Sequence, residues 1–128
     1  MFFLLREDII KIHDDQISRY GGESGILLSD NLDLCATNYK NKLFGKKTFP
    51  GLINKAAALL RDIIKLHPFV DGNKRTAFQC ANTFLKLNGY SIYTKGFEVI
   101  ITTMTIASCE WEFDEATKWI QRYIQYRK

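Results

Sequence analysis

Nine consecutive residues, His67-Pro-Phe-Val-Asp-Gly-Asn-Lys-Arg75, hold an imidazole, a carboxylate, a glycine-asparagine pair and two adjacent cations. A helical pattern opens at about Asn73, so Lys74 and Arg75 fall in a first helical turn. The helix macrodipole already presents positive charge there and disfavours each cation by about 0.3–1 kcal/mol. An anion that answers to both would offset that cost. Backbone N–H groups at a helix start entered through Gly72 and Asn73, flanked by two cationic side chains, make a phosphate cradle suited to a polyphosphate. A single carboxylate beside phosphate oxygens is the usual way a protein holds Mg²⁺, and Asp71 immediately precedes the cradle. Imidazole titrates near neutral pH, so His67, at the end of the preceding helical pattern, suits removal of a proton from an attacking hydroxyl.

The elements around this turn are legible from periodicity. Leu52, Ile53, Ala56, Leu59, Leu60, Ile63 and Ile64 form one stripe for nearly four turns after Pro50 and predict a central helix. It must end near His67, because Pro68 disfavours helical geometry in the residue before it. The next helix runs through Ala77, Phe78, Ala81, Phe84, Leu85 and Leu87 to a stop at Asn88-Gly89. Upstream, Ile9, Ile10, Ile12 and Ile17 predict a helix over 7–20, closed by Gly21-Gly22, and Ser29-Asp30-Asn31 can cap a short helix through about Asn38. A basic, aromatic loop follows over 38–50. Downstream, 97–107 is rich in β-branched residues with helix favoured over strand, and Phe113, Ala116, Trp119, Ile120, Tyr123 and Ile124 make a final helical stripe behind Asp114-Glu115. The fold class is all-α, with about six helices in a single domain over 1–128.

Composition removes several classes. With 128 residues, 46% of them hydrophobic and 25% charged, the chain can build one core without disulfides or a structural metal. Cys35, Cys80 and Cys109 are odd in number, widely spaced and without a C-x-x-C pair, which fits packing residues of a reduced compartment. With only His13 and His67 besides, a structural zinc site lacks ligands at usable spacing. The opening Met-Phe-Phe-Leu-Leu is too short for a signal-peptide core or a membrane span, so a cytoplasmic protein is expected. The net charge of +4 favours anionic partners without naming one. His13, on an apolar helix face, reads as an ordinary core histidine. The lysines at 40, 42, 46 and 47 read as a solvated loop, with docking of a target protein second. Gly45-Lys46-Lys47-Thr48 is not a P-loop, because residue 40 is lysine where the first glycine should stand and Thr48 comes one residue late.

The string from His67 to Arg75 resembles the signature of the Fic/Doc superfamily, H-x-F-x-[D/E]-[G/A]-N-[G/K]-R, at every fixed position. The likeness extends through the segment from Glu7 to His13, Gly21-Gly22, Gly25-Ile-Leu-Leu28, Lys55-Ala-Ala-Ala-Leu-Leu60, Thr76-Ala77 and Phe84-Leu-Lys-Leu-Asn-Gly-Tyr90, which are similar to compact death-on-curing (Doc) toxins. The resemblance implies His67 as the general base acting on a target hydroxyl and Asp71 as the Mg²⁺ ligand. Gly72 and Asn73 with the helix start would be phosphate-binding, Lys74 and Arg75 would neutralise the transferred group, and Phe69 would anchor the turn in the core. ATP and Mg²⁺ are the implied cofactors.

Fic enzymes that transfer AMP usually carry glycine where this chain has Lys74. The Doc-like lysine implies a reversed nucleotide and transfer of the γ-phosphoryl group. The implied activity is a protein phosphotransferase acting on a Ser or Thr hydroxyl of a translation protein, with elongation factor Tu the implied target. Gly72 stands where the Doc pattern has alanine, which keeps AMP transfer as the alternative. No inhibitory [S/T]-x-x-x-E-[G/N] motif occurs: candidates such as Thr94 to Glu98 lack the final residue, Val99 standing there. Control is therefore expected from a separate antitoxin polypeptide, as in toxin–antitoxin pairs. A non-enzymatic basic binding module is the competing class, but no recognition helix stands out and no direct nucleic-acid contact is expected.

Overall fold

The computed structural model describes residues 1–40, 42–43, 46–47, 51–92, 117–118, 120–122 and 124–126. Four helices have defined bounds: α1 (Arg6–Tyr20), α2 (Ser29–Asn38), α3 (Leu52–Leu66) and α4 (Asn73–Leu87). Residues 117–118 and 120–122 are helical as well, on a fifth helix where about six were expected. The all-α class holds. The expected helix at 97–107, Cys109 and the side chains of Trp119 and Tyr123 lie outside the described residues.

α3 is buried almost all round, from Lys55 through Leu60 and at Asp62, Ile63 and Ile64. A helix buried on most sides belongs in the middle of a core, and α3 packs most extensively against α4 and then α2. Ala56, Ala57 and Ala58 on α3 and Ala77 and Ala81 on α4 are all fully buried or nearly so, and side chains this short let helices approach closely. Leu59, Leu60, Ile63 and Phe84 fill the remaining space. Truncating one of these leucines to alanine would cost about 2–5 kcal/mol, because the rigid surroundings cannot close the cavity.

Polar contacts pin the N-terminal segment to this core. The Tyr39 hydroxyl accepts from Leu4 N–H and donates to Leu4 C=O, both at 2.7 Å. Asn88 holds both backbone groups of Phe2, at 2.8 and 2.9 Å. Burial pushes the Tyr39 phenol well above its ordinary value, so it stays protonated and can make the donating bond.

Two details differ from the sequence reading. α2 starts on Ser29 itself, with Leu28 in the capping position and no side-chain cap, so the Ser29-Asp30-Asn31 cap does not form. The reason is tertiary: Leu28 N–H is taken by Pro68 C=O at 3.0 Å, which sets where the chain turns into the helix. Ile124, expected on the last helical stripe, is instead in strand β4 (Ile124–Tyr126), paired antiparallel with β3 (Tyr90–Ile92). Gly89, at φ 92°, turns the chain out of α4 and presents Tyr90 to Ile92 as an edge for the β-favouring Ile-Gln-Tyr. Within the expected 38–50 loop, β1 (Lys42–Leu43) and β2 (Lys46–Lys47) form a small antiparallel pair.

Candidate active site

The signature turn joins the two central helices. His67 closes α3 in the left-handed region at φ 50°, ψ 57°, and is the only non-glycine with positive φ among the described residues. Pro68 disfavours the helical alternative, and the left-handed conformation costs on the order of 1–2 kcal/mol for a residue with a Cβ. Strain of this kind persists only where the surroundings dictate it. Here they do. Pro68 C=O accepts from Leu27 and Leu28 N–H at 2.8 and 3.0 Å, Ile26 and Phe69 pair antiparallel, and Val70 N–H donates to Gly25 C=O at 3.0 Å. The 25–28 segment therefore straps the turn. It leaves Ile26, Leu27 and Leu28 exposed alongside Val70.

Behind the turn the polar groups of Phe69 and Asn73 are partnered, while the buried Thr76 hydroxyl has no hydrogen bond among the described residues. The Asn73 carboxamide closes a ring with the Phe69 backbone, accepting from its N–H at 3.0 Å and donating to its C=O at 2.9 Å. Asn73 is buried, and so is Phe69 at 0% exposure, the expected anchor in the core. Since the Asn73 side chain is occupied in this way, what it can offer a phosphate is its backbone N–H. His13 is more than the plain core histidine its apolar helix face predicts. It is buried, yet its ring stacks on Phe69 at 3.8 Å and 5°, and its Nε2 lies 2.7 Å from Asp71 C=O. The signal available in the chain was only a histidine on an apolar helix face. A buried imidazole needs a hydrogen-bond partner, and this one finds it 58 residues away.

In front of the turn the groups face solvent. His67, Asp71, Lys74 and Arg75 are exposed, and Gly72 is partly so. Asp71 accepts from Gly72 N–H at 2.8 Å and Glu23 N–H at 3.2 Å. The Glu23 N–H, then the Gly72 N–H, hold its carboxyl below the ordinary value, with Arg75 adding in the same direction. Asp71 is thus an anion at neutral pH. Gly22 makes room for it: a Cβ at that residue would stand 2.6 Å from Asp71 Oδ2. Gly72, at φ 75°, caps α4 in a conformation that suits glycine.

No acidic residue lies in the first turn of α4. Arg75 Nη2 donates to Gly21 C=O at 3.2 Å, and its guanidinium sits over the Tyr20 ring at 5.3 Å. The negative end of α1 thus meets part of the Arg75 charge. Among the described residues Lys74 has no hydrogen bond or ion pair. The structure therefore brings His67, Asp71, Gly72, Lys74 and Arg75 onto one turn and turns the Asn73 side chain away into the core.

Residues 3–85 match the model of the Fic/DOC family. The chain belongs to the Fic/DOC family. Toxin Doc of Mycolicibacterium smegmatis is 37% identical over 90 residues, covering 70% of this chain and 67% of that protein. Protein kinase doc of Escherichia phage P1 is 31% identical over 87 residues, 68% of each chain. The Fic/DOC match spans α1 through most of α4, and so takes in every group around the turn.

Other expectations can be placed as well. Burial pushes the Cys35 thiol up to about 12 and Cys80 well above its ordinary value, which suits packing rather than redox chemistry. No group of three His, Cys, Asp or Glu that could hold a metal occurs among the described residues. No described helix is long and apolar enough to cross a membrane.

Proposed function

We propose that this Fic/DOC protein is a Doc-like toxin, a phosphotransferase that moves the γ-phosphoryl group of ATP to a Ser or Thr hydroxyl of a translation protein. Family membership makes a nucleotide-dependent transferase the class of activity. The observation that carries the finer reading is Lys74, an exposed ammonium without a partner among the described residues, on the electropositive first turn of α4. The printed names of the relatives, a toxin and a protein kinase, favour the same reading.

The residues divide the work. The exposed His67 imidazole takes the proton of the target hydroxyl as its oxygen bonds to the γ-phosphorus. The bond from that phosphorus to the bridging oxygen breaks, and ADP leaves with the electron pair. The helix start at Gly72 and Asn73, where the Asn73 N–H points out of the first turn, holds the phosphates with Lys74 and Arg75, and the two cations stabilise charge on the transferred group. Transition states of this kind are loose, so catalysis is mostly positioning and electrostatics. A lone ionised carboxylate fits Mg²⁺, which keeps several waters and takes its remaining oxygens from substrate phosphates, and Asp71 is the residue that would hold it. There the metal would neutralise phosphate charge.

Elongation factor Tu is the target we infer, and a separate antitoxin the restraint. The site's exposure fits a macromolecular substrate, and the cytoplasm is the compartment we infer for both. Intact-mass analysis of elongation factor Tu after incubation with this protein, ATP and Mg²⁺ tests the reading. A gain of one phosphate, ~80 Da, is expected. A gain of AMP, ~329 Da, would replace phosphoryl transfer by adenylylation on the same residues, and no gain would remove this target.

A further inference from the structure

We infer that His13 is a positioning residue for the transfer site, holding Asp71 and Gly72 in place from behind. The inference rests on the phosphotransferase reading above and names a group that reading does not use. His13 sits on α1 at 1% exposure, and its ring is the surface on which the turn rests. It stacks on Phe69 at 3.8 Å and 5°, reaches Asp71 C=O at 2.7 Å, and passes close enough to Gly72 that a Cβ there would lie 3.7 Å from Nε2. A carbonyl oxygen only accepts, so Nε2 carries the proton and donates. The other ring nitrogen, Nδ1, is 3.6 Å from the Asp14 carboxylate.

This bond fixes the peptide between Asp71 and Gly72. The same peptide's N–H, on Gly72, donates to the Asp71 carboxylate at 2.8 Å, and Glu23 N–H supplies the second contact at 3.2 Å. One ring on α1 therefore sets the plane of the peptide whose N–H orients the carboxylate at the entry to the phosphate cradle. Outer groups of this kind commonly change metal affinity or activity by about 10–100-fold when removed.

The test uses H13F, which keeps a flat ring against Phe69 and loses the donor, and H13Q, whose amide can donate to the same carbonyl. Both are read in the full chain at a temperature where circular dichroism shows them folded. H13F is expected to lower kcat/KM for phosphoryl transfer by about 10–100-fold and to weaken binding of Mg²⁺-ATP in calorimetry, while H13Q recovers most of both. A readout independent of transfer is amide hydrogen exchange. In H13F the Glu23 and Gly72 amides should exchange faster, with Leu59 and Leu60 in α3 unchanged, and H13Q should restore the two site amides. Faster exchange spread evenly over site and core would show a purely structural role and overturn the inference, as would wild-type transfer and exchange in H13F. If the wild-type protein transfers no phosphate, the phosphotransferase reading fails and the exchange pattern still decides on His13. Should H13F not fold, H13M against H13Q makes the same comparison.

Discussion

The two sides of the turn between α3 and α4 follow opposite rules. Its back is buried and tightly bonded: Phe69 against His13, Asn73 bonded twice to the Phe69 backbone, Asp71 C=O capped by His13. Its front, His67, Asp71, Lys74 and Arg75, is exposed, with one residue held in a left-handed conformation and two cations on a helix end of their own sign. On the front, Asp71 and Arg75 keep exposed capacity beyond their few contacts and Lys74 has no partner among the described residues, while the bonded backing holds the turn still. The difference teaches that stability and chemistry are separable within one short loop.

The sharpest way to break that separation is His67. Replacement by alanine should lower phosphoryl transfer about 10²–10⁴-fold, the usual worth of a general base, with little change in melting temperature. Replacement by glycine should lose the same activity and gain up to about 1 kcal/mol of stability by relieving the left-handed strain. Single-turnover transfer from labelled ATP, read beside thermal melts, checks both, and a large stability loss would join front to back. Next come the cations. Lys74→Gln and Arg75→Gln should each cost about 10²–10³-fold in rate. Only the arginine variant should also melt earlier, since Arg75 alone of the two has partners, at Gly21 and Tyr20.

Asn73→Ala probes the back. It would strand the buried N–H and C=O of Phe69, so urea unfolding should show a loss of about 2–3 kcal/mol, with activity falling as a consequence of the loosened turn. The smallest effect is expected from pH. The Asp71 carboxyl lies below its ordinary value of 3.8, so its contacts contribute stability fully above that value, and the contribution disappears only as pH falls through the lower folded value. Melting temperatures of the wild-type protein and Asp71→Asn should therefore keep a constant difference from about pH 8 down to about pH 5 and converge in stronger acid.

Much of this arrangement is visible in the chain itself. The stripe from Leu52 to Ile64 predicts α3, and Pro68 predicts its end, because one steric clash at a proline suffices to stop a helix. The start of α4 at Asn73 and its stop at Asn88-Gly89 are likewise local. The α2 start at Ser29 departs by one residue from the local cap signal, since a backbone bond from Leu28 to Pro68 decides it. Ile124 left its stripe because a strand edge made by Gly89 lies within reach, and helical periodicity carries no information about that edge. The role of the Asn73 side chain could not be read either: cradle and clasp call for the same residue at the same position.

The order of residues alone determined the four helices α1 to α4, the turn between α3 and α4, and the presence of imidazole, carboxylate and cations on that turn. Each depends on neighbours a few positions apart, where sterics and periodicity act. Only the tertiary structure decided which of those groups face water and which serve the core, and that His13 of α1 backs Asp71. Those outcomes come from contacts between segments about 50 to 60 residues apart, whose geometry is set when the core closes and by no local rule.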